Sequence, residues 1–114
     1  MHEISLVSAL VEQVEGTAVT QNFRSVLEIR LGIGELSGVE PDCLAFCFRE
    51  VTHSTILDGA RLVTESIPAE CVCRKCGKNS RPEDFAALAC GHCLSADVKI
   101  LQGREFRVID LEVV

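Results

Sequence analysis

Cys73-Arg74-Lys75-Cys76 and Cys90-Gly91-His92-Cys93 are two C-x2-C pairs separated by thirteen residues, 77–89. Each pair sets two thiolates about a turn apart, and the intervening chain is long enough to fold back and close one four-sulfur site. Soft thiolates in a tetrahedral set favour zinc over hard cations. A site with four protein ligands leaves no open coordination position, so the expected metal is structural and not catalytic. A disulfide pair or an iron centre is the alternative reading of the same spacing.

The other chemistry-bearing stretch is Met1-His2-Glu3. Methionine aminopeptidases require a small second residue; His2 is large, so Met1 is expected to keep its place and its free amine. That amine, the His2 amide nitrogen and the His2 imidazole can close fused five- and six-membered chelate rings on one ion. Glu3 can supply a fourth donor through its amide or its carboxylate. Deprotonated amides favour a planar arrangement, and a tetragonal N/O set suits Ni(II) or Cu(II), not zinc. The competing reading is a frayed, solvated terminus.

The elements that must position these groups follow from periodicity. Residues 3–15 carry Ile4, Val7, Val11 and Val14 on one helical stripe, widened by Leu6 and Leu10, with Gly16 as the expected stop and 17–22 as a polar loop. Phe23, Ser25, Leu27, Ile29, Leu31 and Ile33 alternate with Arg24, Val26, Glu28, Arg30 and Gly32, the period of a half-buried strand. Pro41 suits the first position of a second helix, with Leu44, Cys47, Phe48 and Val51 on its apolar face and an end near Ser54-Thr55. Leu62 to Ile67 reads as a second strand, closed by Pro68. Arg107, Ile109, Leu111 and Val113 alternate with Phe106, Val108, Asp110 and Glu112 as a third. A last strand this short needs a sheet to join. The expected architecture is α+β: a small three-stranded sheet with two helices (1–68 and 101–114) and an inserted zinc ribbon (69–100).

Composition narrows the function. The chain has 114 residues, a formal charge of -6, no Trp or Tyr and five Phe. Four thiolates around one zinc add about -2. Residues 70–99 carry five basic side chains against four acidic ones, so even the ribbon is near neutral. This is a poor match to phosphate backbones or to stacking on single-stranded bases, and it weakens the alternative function, a zinc-ribbon nucleic-acid-binding or transcription-associated adaptor. No stretch approaches the ~20 apolar residues of a membrane span, and the N-terminus lacks a signal peptide's basic and apolar regions. Seven cysteines without such a signal fit the reducing cytoplasm. There is no nucleophile–base pair and no phosphate loop, so no enzyme is expected.

Taken together, Met1-His2-Glu3 leading into Ile4-Ser5-Leu6, the strand with Glu28, Ile29 and Gly32, Gly34-Glu35-Leu36-Ser37, Pro41 followed by Phe46 and Phe48, and both cysteine pairs resemble the HypA/HybF family of hydrogenase maturation factors over the whole chain. The resemblance implies a nickel metallochaperone. In it, Met1, His2 and Glu3 match the nickel site, and Cys73, Cys76, Cys90 and Cys93 match the zinc site. The implied partners are the GTPase HypB and the large subunit of [NiFe] hydrogenase, with some members also supplying urease. The chain would act as a monomer or a homodimer.

Other residues divide between functional and plain readings. Glu3 either positions His2, ligates nickel or meets the GTPase; otherwise it is a first-turn carboxylate complementing the helix dipole. Glu40 and Asp42 could approach a metal but are ordinary at a helix start. Cys43 and Cys47, at i and i+4, could hold a metal, while Cys47 on the apolar face reads as core. Cys71, two residues before Cys73, could exchange with a zinc ligand; otherwise it is a spare thiol. His92 could replace a cysteine ligand at low pH, or simply be exposed; His53 complements the end of the second helix.

Overall fold

The computed structural model describes residues 2–82 and 87–114. The chain order is helix α1 (His2–Gln21), strand β1 (Val26–Gly34), helix α2 (Pro41–Val51), then strands β2 (Arg61–Ile67), β3 (Glu70–Cys73), β4 (Asn79–Ser80), β5 (Val98–Gln102) and β6 (Phe106–Val113). Two three-stranded sheets result, ordered β2-β1-β6 and β4-β3-β5. The expected α+β class holds, and the C-terminal strand does return beside the first. The chain forms two compact units: Met1–Leu31, Val39–Glu65 and Val108–Val114 in one, Gly32–Gly38 and Ser66–Arg107 in the other.

The first unit has an aliphatic core. α1 contributes Val7, Leu10, Val11, Val14 and Ala18; β1 contributes Val26, Ile29 and Leu31; α2 contributes Leu44, Cys47 and Phe48; Leu57 follows α2. α1 packs on α2. Two features of α1 differ from the sequence expectation. It runs through Gly16, because one glycine costs a helix only about 1 kcal/mol and the next turn buries Ala18. It ends instead at Asn22, which takes a left-handed φ of 61° and returns its N–H to Ala18 O at 2.8 Å. Its buried stripe also starts one residue earlier: Glu3 is buried and Ile4 is 45% exposed. Glu3 lies four residues before Val7, and a specific partner described below makes its burial tolerable.

β1 breaks the simple alternation at its start, where Val26 is buried and Leu27 exposed. Val26 donates its N–H to Ile56 O at 3.1 Å, which fixes the strand entry. From Leu31 to Gly34 both faces are buried, and Gly34 has to be glycine: a Cβ there would lie 2.1 Å from Gly103 O. α2 begins at Pro41 as expected and stops at Val51, earlier than Ser54-Thr55. Thr52 caps it by turning both its N–H and its hydroxyl to Phe48 O, at 3.0 and 2.6 Å. On the β2-β1-β6 sheet Arg30 bridges Glu65 and Asp110, and Arg61 pairs with Glu28.

The second unit is built differently. β3 is the middle strand of its sheet, paired antiparallel with β4 (Cys71↔Ser80) and with β5 (Cys73↔Val98). Among the described residues, the unit's buried apolar ones are Ile33, Ala69 and Pro82 with the thiols Cys71, Cys73 and Cys90. Glu35 ties the unit together, accepting from the Ala69 N–H at 2.7 Å and from Arg81 at 2.8 Å.

Candidate metal centres

Cys73, Cys76, Cys90 and Cys93 converge, with all four sulfurs within 4.8 Å of one another. Cys73 Sγ and Cys93 Sγ are 3.6 Å apart, and Cys76 Sγ and Cys90 Sγ 3.8 Å. Thiolates bonded at about 2.3 Å in a tetrahedron stand about 3.8 Å apart, so the donor set fits a closed four-sulfur site of the zinc-ribbon kind.

The two cysteine pairs reach this geometry by the same local fold. In the first, Gly77 takes φ 75° and donates its N–H to Cys73 O at 2.9 Å; in the second, Leu94 takes φ 62° and donates to Cys90 O at 3.0 Å. Each turn aims two backbone N–H groups at the leading sulfur. Lys75 and Cys76 donate to Cys73 Sγ at 3.3 and 3.4 Å, and His92 and Cys93 donate to Cys90 Sγ at 3.3 and 3.5 Å. These donors favour thiolate over thiol. The Cys93 and His92 N–H groups bring Cys90 down to about 6, against the opposing effect of burial. Cys73 is lowered likewise, first by the Cys76 N–H. For Cys93 a backbone hydrogen bond from Ser95 is outweighed by the neighbouring Cys73 thiol, burial and Cys90, which raise it to about 11. The first two sulfurs are thus prepared for a cation, and the last ionises when a cation arrives.

The supporting contacts were not visible as chemistry in the sequence. Ser80 Oγ accepts the Gly91 N–H at 3.0 Å and lies 3.7 Å from Cys71 Sγ, so Cys71 is a buried packing thiol beside the site. A Cβ on Gly91 would meet Arg81 O at 2.8 Å, which explains the glycine in the second pair. His92 is exposed, with Nε2 3.3 Å from Asn79 O.

At the other end, Met1 lies outside the described residues. His2 opens α1 with its side chain 53% exposed, whereas that of Glu3 is 7% exposed. Glu3 Oε2 accepts the Glu40 N–H at 3.2 Å, and Glu3 Oε1 lies 3.9 Å from His2 Nδ1. The Glu40 N–H, followed by its own N–H, lowers the Glu3 carboxyl to about 2. Glu3 therefore anchors the start of α1 to the residue that begins α2. Glu40 caps α2, accepting the Asp42 N–H at 3.2 Å, as the plain reading of these acidic residues expects. His53 is exposed and sits 3.9 Å from Asp58.

A four-sulfur cluster on a ribbon, carried by a small α+β unit whose first helix presents a histidine at its first turn, defines a metal-binding protein with no open catalytic position. Residues 1–113 match the model of the family described as hydrogenase/urease nickel incorporation, metallochaperone, hypA. The chain is 41% identical to a hydrogenase maturation factor HypA from Geobacter metallireducens, covering 99% of both. It is 40% identical to one from Synechococcus sp., covering all of both. The solution structure of the Ni metallochaperone HypA from Helicobacter pylori is similar with a TM-score of 0.74 at 29% identity, covering 100% of this chain and 98% of that one. The chain belongs to the HypA family of nickel metallochaperones for hydrogenase maturation; these are metal carriers and not enzymes. No helix among the described residues is long and apolar enough to cross a membrane.

Proposed function

We propose that this chain carries Ni(II) on Met1, His2 and Glu3 and delivers it to the large subunit of [NiFe] hydrogenase, working with the GTPase HypB in the cytoplasm. The family description also names urease, so urease maturation proteins are proposed as further recipients. The nickel domain is assigned to 1–68 with 101–114 and the zinc ribbon to 69–100, with Gly32–Gly38 and the flanks of the ribbon, 66–68 and 101–107, belonging to the ribbon's compact unit. Cys73, Cys76, Cys90 and Cys93 hold a structural Zn(II), which supplies folding energy and not chemistry.

The observation that carries the nickel assignment is the exposed His2 imidazole on the first residue of α1. The first N–H groups of a helix have no intrahelical acceptor, so an ion that takes the His2 amide nitrogen removes no helix hydrogen bond. The carboxylate of Glu3 is already committed to Glu40. This supports the Glu3 amide as the fourth donor and the carboxylate as the anchor that holds the terminus. Such a chelate lies at the surface, where a recipient protein can remove the ion by stepwise ligand exchange.

His2→Ala tests the site. Nickel affinity should fall at least a hundredfold, with zinc content and thermal stability unchanged. Wild-type nickel affinity in His2→Ala would remove the N-terminal assignment.

A further inference from the structure

The C-terminal end of α2 borders a cleft that neither metal centre uses. Its volume is about 520 Å3. One wall is a single stripe of the helix and the turn that follows it. Ala45, Phe48, Arg49, Thr52 and His53 recur there at the three- and four-residue spacing that puts side chains on one face. The other wall is the turn at Asp58 and Gly59, which has φ 77°, and the start of β2 at Arg61 and Leu62. All of these residues belong to the first unit.

The walls carry Arg49, His53 and Arg61 against a single acidic side chain, Asp58. Arg61 pairs with Glu28 at 2.7 Å. Asp58 accepts the Ser54 N–H at 2.9 Å and lies 3.9 Å from His53 Nδ1. Arg49 is exposed, and its guanidinium makes no hydrogen bond or ion pair among the described residues. A cation in a last helical turn can complement the helix dipole, but the carbonyls at this end are already occupied. Phe48 O takes the N–H and the hydroxyl of Thr52, at 3.0 and 2.6 Å. Thr52 O takes the N–H and the hydroxyl of Thr55, at 2.9 and 2.7 Å. The Arg49 guanidinium is thus left for an acceptor from outside the chain.

We propose that this cleft docks an acidic peptide segment of a partner protein, with a carboxylate on Arg49 and a neighbouring aliphatic side chain against Phe48, Ala60 and Leu62. Arginine is the side chain that meets a carboxylate through two parallel N–H bonds. The apolar lining asks for a ligand with hydrocarbon beside its charge, which a peptide has and a free phosphate lacks. The chain's charge of -6 does not bar such a segment, because exposed charges more than about 8 Å away are largely screened at physiological salt. Position matters as well. α2 has 11 residues, a length of about 16 Å. Its start is the end that Glu3 ties to the first turn of α1 through the Glu40 N–H. A segment seated at the far end of the helix leaves His2 uncovered, so a docked partner and an ion at the terminus do not compete for space. The docking cleft does not depend on the nickel assignment.

The test uses the full chain, zinc-loaded and free of nickel. The probe is a fluorescein-labelled peptide of alternating glutamate and leucine, with a copy carrying glutamine for glutamate as the control. Binding is followed by anisotropy, and the seat is mapped from amide shifts in isotope-labelled protein. The acidic peptide should bind saturably, with the largest shifts between residues 45 and 62, and the glutamine copy at least tenfold more weakly. Arg49→Gln, a change at an exposed position, should weaken binding at least tenfold. Arg24→Gln removes the same charge from the same unit, at an exposed position outside the cleft, and should leave affinity within twofold. The proposal is overturned if the acidic peptide shows no saturable binding up to about 1 mM, if the shifts lie elsewhere, or if the glutamine copy binds equally well. It is overturned too if the two arginine variants weaken binding alike, or if inorganic phosphate displaces the peptide at equal concentration. Nickel is absent throughout, so failure here leaves the terminal chelate untouched.

Discussion

Removing the metal from the four-cysteine cluster should melt the second unit and spare the first. In the first unit α1, β1 and α2 bury an aliphatic core that includes Val7, Val14, Ile29, Leu31, Leu44 and Phe48. Among the described residues of the second, the buried apolar side chains besides cysteines are Ile33, Ala69 and Pro82. At about 25 cal/mol per Å2 these three contribute about 5 kcal/mol together. A structural zinc site contributes on the order of 10–16 kcal/mol in small domains, more than these side chains combined. Two of the sulfurs also hold their turns in place through four N–H donors, from Lys75, Cys76, His92 and Cys93. Native-state hydrogen exchange is the assay. After chelation, or in Cys90→Ser, the amides of Cys73, Arg74 and Cys90, bonded to Lys78, Asp97 and Ser95, should lose protection. Leu44, whose N–H is held by Glu40 O within the first unit, should keep it. Protected ribbon amides in protein shown to be metal-free would refute the reasoning, as would loss of protection at Leu44.

Glycine substitutions give a pair of opposite sign. An added Cβ meets nothing within 4 Å at Gly16 or at Gly77, but Gly16 is helical and Gly77 has φ 75°. Gly16→Ala should stabilise by about 1 kcal/mol and Gly77→Ala should destabilise by about 1 kcal/mol, both read from urea midpoints of the zinc protein. Acid stability should report Glu3. Its folded-state value of about 2 lies below the ordinary 4.5, so the unfolded chain binds its proton more readily. The contribution is complete above about 4.5 and is lost as pH falls toward 2. Glu3→Gln should therefore flatten the fall of the denaturation midpoint across that window, and an unchanged slope would dismiss the Glu40 contact as a stabilising one.

Much of this was readable in the residues. The cysteine spacing identified the four-sulfur cluster, because two C-x2-C turns leave few ways to arrange their sulfurs. The period of two over Ile29, Leu31 and Ile33 located the central strand, and Pro41 placed the second helix to the residue. What escaped depended on tertiary partners. The readings of Glu3 as a metal ligand, a positioner of His2, a partner contact or a first-turn carboxylate all missed its bond to Glu40, since nothing local says that this backbone, 37 positions on, would meet it. Gly16 looked like a stop, because helix punctuation is weaker than burial of the turn that follows it. Val26 and Leu27 exchanged faces because a loop at Ile56 takes the strand's first N–H. The N–H donors to sulfur were implicit in the knuckle spacing, whereas Ser80 as a support for Gly91 had no local signature.

The central claim is that nickel is held at the chain's own terminus. The most direct measurement is a nickel titration of untagged, zinc-loaded protein followed by absorbance, repeated after acetylation of the Met1 amine. The account predicts stoichiometric binding with the band of a planar nitrogen-ligated ion, lost in the acetylated protein because the terminal amine no longer closes the five-membered ring. Equal binding by the two proteins would contradict it and move the nickel site away from Met1, His2 and Glu3.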